Sequence, residues 1–395
     1  MKTMPTYTEN SELAALLDKV PLTPAEQAAE SQTTCVTGAT STIGAHVVRR
    51  LLRAGHTVHA PVRGTEAKAD VAYLKAMPGA SERLKLFYGV DLLIDGSYDA
   101  SMVVCSSVHH VASSFYMVGS KKNIQKKLID PAIKGTENVL ASCNRTPTIT
   151  KVIVTGTTFV ACCDYRPSIT DKDWTVTEES WQDGLSPKKF PYSYSKHAAE
   201  KRAMEIAAAQ SQWTLTTLLV AASFGPMCSG NGQGTVLLFH KYIRLGLFWP
   251  ACPPMGCPFN DIRDVAAMHA LAMVTSGVAG GRYLTPQRWG TFYESCRALK
   301  TDKRTNKIML PFFTFPSCFK SVFAVAAPFL GIDKSFPKRT WGCSPKMDYS
   351  KTTTNFGLDT QEFKRIDVQE MMVDTELSFK LHKIPLLSAS LKRYK

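Results

Sequence analysis

Residues 33–63 allow very few folds. Thr33-Thr-Cys-Val-Thr37 is a short β-rich run, and Gly38-Ala-Thr-Ser-Thr-Ile-Gly44 follows at once. A helical pattern then fills 45–54, stops at Gly55, and gives way to a second β-rich run over 57–63. Strand, glycine turn, helix and strand within about 30 residues make a βαβ unit. Gly38 allows the tight turn at the strand end, and Gly44 lets the helix pack close to the sheet. The helix N-terminus offers unpaired N–H groups and the positive end of its dipole to a pyrophosphate. A lone glycine pair would be no more than a structural turn, but this setting predicts a dinucleotide site.

The end of the second strand bears on which dinucleotide. A carboxylate there would hold a ribose 2′-hydroxyl, as in NAD sites. Arg63 stands there instead, with Lys68 nearby and no carboxylate before Glu66. A guanidinium suits a 2′-phosphate. NADP is therefore expected, with NAD as the alternative and a merely solvated Arg63 as the bland reading.

Further strands are predicted at 84–88, near 108–112, at 151–155 and at 214–220. Helices are predicted over 131–143, from Tyr192 to about Gln210, and over 261–275. This alternation predicts an α/β fold, a doubly wound parallel sheet. Small residues end the fourth strand, where a flat cofactor could approach the backbone. Of His109 and His110, one is expected to pack inward and one to line the cofactor cleft. Gly156-Thr157-Thr158 follows the fifth strand, where hydroxyls face a ligand crevice or serve as turn residues.

Tyr192 and Lys196 are four apart at the front of an Ala-rich helix, so they share one face. A nearby cation favours a phenolate and lowers its pKa from about 10. Tyr192 is thus a candidate proton donor and acceptor, although the bare Tyr-x-x-x-Lys spacing is a weak signal.

Three parts are expected: a polar arm over 1–31 with one short amphipathic piece, a Rossmann-type domain over 32–226, and a mainly substrate-binding lobe over 227–395. Residues 261–284 are expected to return to the Rossmann domain. The net charge is +14, with 19 Lys and Arg against 10 Asp and Glu from Pro286 onward. It is spread out, and no nucleic-acid motif accompanies it, so a basic surface that attracts anionic ligands is expected rather than nucleic acid binding. Eleven scattered cysteines show no metal-ligand spacing and read as free thiols of a reducing compartment. No secretory signal is apparent, and a cytoplasmic protein, monomer or homodimer, is expected. The stretch 309–332 is the most apolar, but Pro311, Pro316, Pro328 and Lys320 argue against a spanning helix. It reads as a substrate-covering helix pair, or as interfacial attachment to a membrane surface. The last 40 residues are polar and basic, and no role can be read from them.

Taken together, the chain resembles an extended short-chain dehydrogenase/reductase of the NAD-dependent epimerase/dehydratase superfamily. Within it, the likeness is greatest to the dihydroflavonol 4-reductase, cinnamoyl-CoA reductase and 3β-hydroxysteroid dehydrogenase group. The motifs are 36–44, Val62-Arg63, Asp91-Leu92, 110–112, 135–139, 155–157, Tyr192-x-x-Ser-Lys196 with Ala199-Glu200, Gly225-Pro226 and Asp264-Val265. The resemblance implies that the turn from Gly38 through Thr40, Ser41, Thr42 and Ile43 to Gly44 holds the NADP pyrophosphate. It implies Arg63, with Lys68 nearby, at the 2′-phosphate, Asp91 and Leu92 beside the adenine, and Ala112 facing the cofactor. Thr157 would orient the substrate oxygen, Tyr192 would be the acid/base, and Lys196 would hold the nicotinamide ribose and lower the Tyr192 pKa. The implied reaction interconverts a secondary alcohol and a ketone or aldehyde on an apolar small molecule, steroid-like or phenolic. A nucleotide-sugar epimerase or dehydratase, or a non-enzymatic NADP-binding scaffold, is the alternative. Ser41 replaces the family's middle glycine, with a cost in affinity or a new phosphate donor as the expected result.

Overall fold

The computed structural model describes residues 10–113, 123–231, 234–246, 248–276, 278, 280–285, 288–305, 309–330, 335–358 and 366–384. Its main sheet holds β1 (Thr33–Thr37), β2 (Thr57–Val62), β3 (Leu84–Tyr88), β4 (Ser107–His110), β5 (Lys151–Thr157), β6 (Thr214–Val220) and β9 (Gly281–Leu284). A smaller sheet holds β7 (Ala222–Phe224), β8 (Gly256–Asp261) and β10 (Arg288–Thr291). The main sheet runs β3-β2-β1-β4-β5-β6-β9, and every pair in it is parallel. The chain winds outward from β1 to β3, then crosses back to place β4 on the other side of β1. That reversal opens a crevice between the C-terminal ends of β1 and β4, where open α/β sheets bind ligands.

Helices cover both faces. Helix α3 (Thr42–Arg53) buries Ala45, Val47, Val48, Leu51 and Leu52, and it packs on α6 (Ile262–Val274). Residues 262–273 of α6 are all buried, because α6 lies between the sheet and α3. On the other face α4 (Asp130–Arg145) packs on α5 (Pro191–Ala208). The doubly wound architecture is the one expected. Strand β5 runs two residues past its predicted end, which carries Thr157 into the sheet register opposite Val220. Strand β9 was not predicted; it is four residues long and enters from Gly280-Gly281, both at positive φ.

Within the polar arm, the amphipathic piece expected over 12–20 forms α1 (Ser11–Leu17), and α2 (Pro24–Ala28) follows it. Leu13, Leu16 and Leu17 are buried, and Asp18 and Glu26 pair with Arg49 and Arg50 of α3 at 2.7 and 2.6 Å. The C-terminal end supplies α7 (Val368–Leu381), which buries Met371, Met372, Val373, Leu377 and Phe379. Two buried ion pairs seat it, Arg263–Asp374 at 2.8 Å and Arg244–Glu376 at 2.9 Å. The apolar stretch from 309 is not a helix pair. It is a short strand Phe313–Thr314, two 3₁₀ turns and a single helix Lys320–Ala326, because its prolines interrupt the helical ladder. Residues 331–332 lie outside the described residues. No helix among the described residues is long and apolar enough to cross a membrane.

Candidate active site

Backbone shape builds the cofactor side. Gly38 has φ +68°, and a Cβ there would lie 2.8 Å from the backbone of Ala112. A Cβ on Gly44 would overlap the Gly38 carbonyl. Any larger residue at either position would push β1, β4 and α3 apart. The same strand ends are tied by Thr37, whose Oγ1 accepts from the Ala112 N–H at 3.1 Å and lies 2.9 Å from His110 Nδ1. Burial pushes the His110 pKa down to about 3, with the Lys196 charge adding to the effect. His110 is therefore neutral, and its Nδ1 shares a hydrogen bond with the Thr37 hydroxyl. His109 points the other way, with Nδ1 3.3 Å from His269 Nδ1, and His269 Nε2 lies 3.0 Å from the Thr155 hydroxyl.

Two adjoining cavities share Ser113, Thr155, Gly156 and Lys196. Leu92, His110, Ala112 and Glu200 line the first. The second, about 190 Å³, has Ser41, Thr42 and Ile43 at one side and Thr157, Tyr192 and Val236 among its other walls. The predicted turn and the predicted Thr-Tyr-Lys set thus meet in one crevice. Ser41 does not strain the turn. Its φ of −77° suits any residue, and its hydroxyl accepts from the Gly44 N–H at 3.0 Å as the α3 N-cap. Thr40 lies just beyond, its carbonyl accepting from the Tyr73 phenol at 3.2 Å. Leu92 rests on Gly135, where a side chain would overlap it.

Arg63, Lys68 and Asp91 do not line either cavity. Arg63 and Lys68 are exposed. Asp91 folds back, with Oδ1 accepting from the Leu93 N–H at 2.8 Å. Arg63 and Asp91 nevertheless share one edge of the sheet, since β2 and β3 run parallel and both act on the Tyr98 phenol.

On the other side, Thr157 ends β5 and accepts from the Phe159 N–H at 3.3 Å. It also hydrogen-bonds the Tyr192 phenol. Burial pushes the Tyr192 pKa up to about 12, against the lowering effect of that hydrogen bond. Burial lowers Lys196 to about 8, opposed by Glu200. The phenol pKa is therefore raised rather than lowered as expected, and the group that opposes burial is Thr157, not Lys196.

Several groups here have no role assigned from the sequence. Phe190, just before α5, sits at φ +63°, a strained conformation for an aromatic residue. The Arg339 guanidinium covers its ring at 4.2 Å. Glu200, one turn beyond Lys196, bonds Arg282 of β9 at 2.7 Å with both side chains buried. Arg282 also donates to the carbonyls of Glu178 and Ser180 at 2.6 and 2.9 Å and stacks on Trp181 at 3.7 Å. The i, i+4 spacing from Lys196 could have flagged Glu200. Nothing local flags Arg282.

Residues 34–284 match the family described as NAD dependent epimerase/dehydratase. A cinnamoyl-CoA reductase, CAD2, of Medicago truncatula is 33% identical over 269 residues, 67% of this chain and 79% of its own. A bifunctional dihydroflavonol 4-reductase/flavanone 4-reductase of Malus domestica is 30% identical over 295 residues, 74% of this chain and 80% of its own. The fold is shared with Gre2 of Candida albicans, solved in complex with NADPH. That likeness has TM-score 0.68 at 23% identity over 89% of this chain and 99% of that one.

Proposed function

The chain belongs to the NAD dependent epimerase/dehydratase family, and from that premise we propose that it is an NADPH-dependent carbonyl reductase. Its substrate is an apolar ketone or aldehyde, phenolic or steroid-like, and its product the corresponding alcohol; the same residues serve the reverse reaction. One observation carries the reading: the hydrogen-bonded Thr157–Tyr192 pair shares a cavity wall with Lys196 and with the turn that caps α3. The 30–33% relatives that are reductases support it.

The residues fit the cofactor. The space kept by Gly38 and Gly44 and the α3 N-terminus suit a pyrophosphate, and Arg63 at the sheet edge suits a 2′-phosphate better than NAD's hydroxyl. Bound NADPH supplies the hydride. Tyr192, protonated at neutral pH, gives its proton to the carbonyl oxygen. Thr157 donates to the same region and steadies the phenolate left behind. Lys196, still mainly protonated at pH 7, adds a positive charge that helps the phenolate form. Val111, Val220, Val236 and Ile262 give the cavity apolar walls, and among the described residues Lys196 is the one charged side chain on them. Such walls favour an apolar substrate over an anionic sugar nucleotide. The eleven unpaired cysteines, ten of them buried, fit a cytoplasmic protein.

The test uses purified full-length protein with a panel of flavonoid-like, cinnamoyl-type and steroid carbonyls, following NADPH consumption. Tyr192→Phe is expected to keep NADPH binding and lose turnover by about 10²–10⁴-fold. Failure to bind NADPH would sink the proposal, and so would full turnover by Tyr192→Phe.

A further inference from the structure

One face of the C-terminal part leaves large apolar side chains in water. Phe312 is 64% exposed, and Val322 and Val325 are 66% and 74% exposed. Met309, Trp249 and Phe319 are exposed as well. These groups form one surface. The Phe312 N–H donates to the Pro250 carbonyl at 2.9 Å, which sets Phe312 beside Trp249. The Phe315 ring lies 5.6 Å from Phe319 and 6.4 Å from Phe323, which links the strand to the helix Lys320–Ala326. Phe319, Val322 and Val325 recur at a spacing of three and stand outward, while Ala324 is buried. An exposed apolar patch of this kind marks an interaction surface.

Basic side chains border it. Lys300 sits over the Phe312 ring at 4.7 Å. Lys320 opens the helix, and Lys338 is exposed on the helix Phe336–Thr340 that packs against it. Of the acids close by, Glu294 accepts from the Thr291 N–H of its own helix cap at 2.7 Å, and Asp302 pairs with Arg304 at 2.7 Å. We infer that this face binds an anionic lipid surface. The phenylalanines and valines enter the acyl boundary while the lysines meet the headgroups. A second copy of the chain fits less well, because a two-fold contact would set these lysines against one another. The face is not a lid on the active site, since neither cavity there takes a wall from 309–330.

Co-sedimentation of the full chain with phosphatidylcholine vesicles, with and without phosphatidylserine, tests this. Binding is expected with phosphatidylserine, and on the order of tenfold less without it or at high salt. The double variant Val322→Glu, Val325→Glu is expected to bind on the order of tenfold less. It should keep NADPH binding unchanged, which serves as the folding control. Folded protein that ignores phosphatidylserine vesicles overturns the inference, as does a double variant that binds like the parent. A dimer in ultracentrifugation that the double variant dissolves, with no vesicle binding, makes the face a self-association surface instead. None of these outcomes touches the reductase reading, whose residues lie elsewhere.

Discussion

Ser41 and Gly38 stand three residues apart in one turn and tolerate change very differently. Gly38 is held at positive φ against the Ala112 backbone, so Gly38→Ala should abolish NADPH binding or folding. Ser41 needs no glycine, and its hydroxyl replaces a missing partner for the Gly44 N–H. That bond uses an oxygen lone pair and leaves the Ser41 proton free to donate to a phosphate. Ser41→Ala is expected to cost about 1 kcal/mol of stability as a lost N-cap, read as a lower Tm. It should also weaken NADPH binding, which titration calorimetry would show. At Arg63, exposed at the sheet edge, Arg63→Ala should raise the Kd for NADPH about tenfold through a lost charged hydrogen bond and leave that for NADH unchanged. Equal effects on both would remove Arg63 from the 2′-phosphate. The pattern of glycines and the arginine were legible because each sits at a set offset from a strand end. The Ser41 cap was not, because a side-chain acceptor shows itself only once the helix start is placed.

Helix α5 presents Tyr192, Lys196 and Glu200 on successive turns, and β9 holds the far end of that row through Arg282. The sequence reading found the first two and missed the anchor. Arg282→Ala would leave the Glu200 carboxylate buried beside an empty space and release the carbonyls of Glu178 and Ser180. The expected loss is roughly 3–5 kcal/mol in urea unfolding. A change below about 0.5 kcal/mol, the size of an ordinary surface substitution, would show that the network carries no weight. The element was hard to read because β9 is four residues long and starts at the second of two glycines. Its strand character comes from pairing with β6, more than sixty residues earlier in the chain.

Among the described residues, six buried histidines, His46, His56, His59, His109, His110 and His269, have their pKa lowered by burial. Burial lowers His46, His110 and His269 to about 3, and His109 falls well below its usual value. The unfolded chain takes up protons near its ordinary histidine pKa of about 6.5, while the folded chain does not. Stability should therefore rise with pH between about 3 and 6.5 and be lost as the pH falls through that window. By pH 5 each of His46, His110 and His269 contributes up to about 2 kcal/mol of loss. Urea midpoints at pH 7 and pH 5 check this, and a midpoint that does not move would refute it. His269→Gln should flatten the dependence, since it removes one of these groups. The sequence by itself determined the first six strands of the main sheet with the helices between them, the glycine turn, and the one-turn spacing of Tyr192 and Lys196. These depend on periodicity and offsets within a few residues, where backbone geometry leaves little choice. Only the tertiary structure decided which charges are buried and with what partner. Arg49, Arg50, Arg263 and Arg282 look like surface residues to their neighbours in the chain. Each finds a distant carboxylate through the fold, and Arg263 also pairs with its neighbour Asp261. The exposed valines of the helix Lys320–Ala326 are the reverse case, apolar residues that the packing left outside.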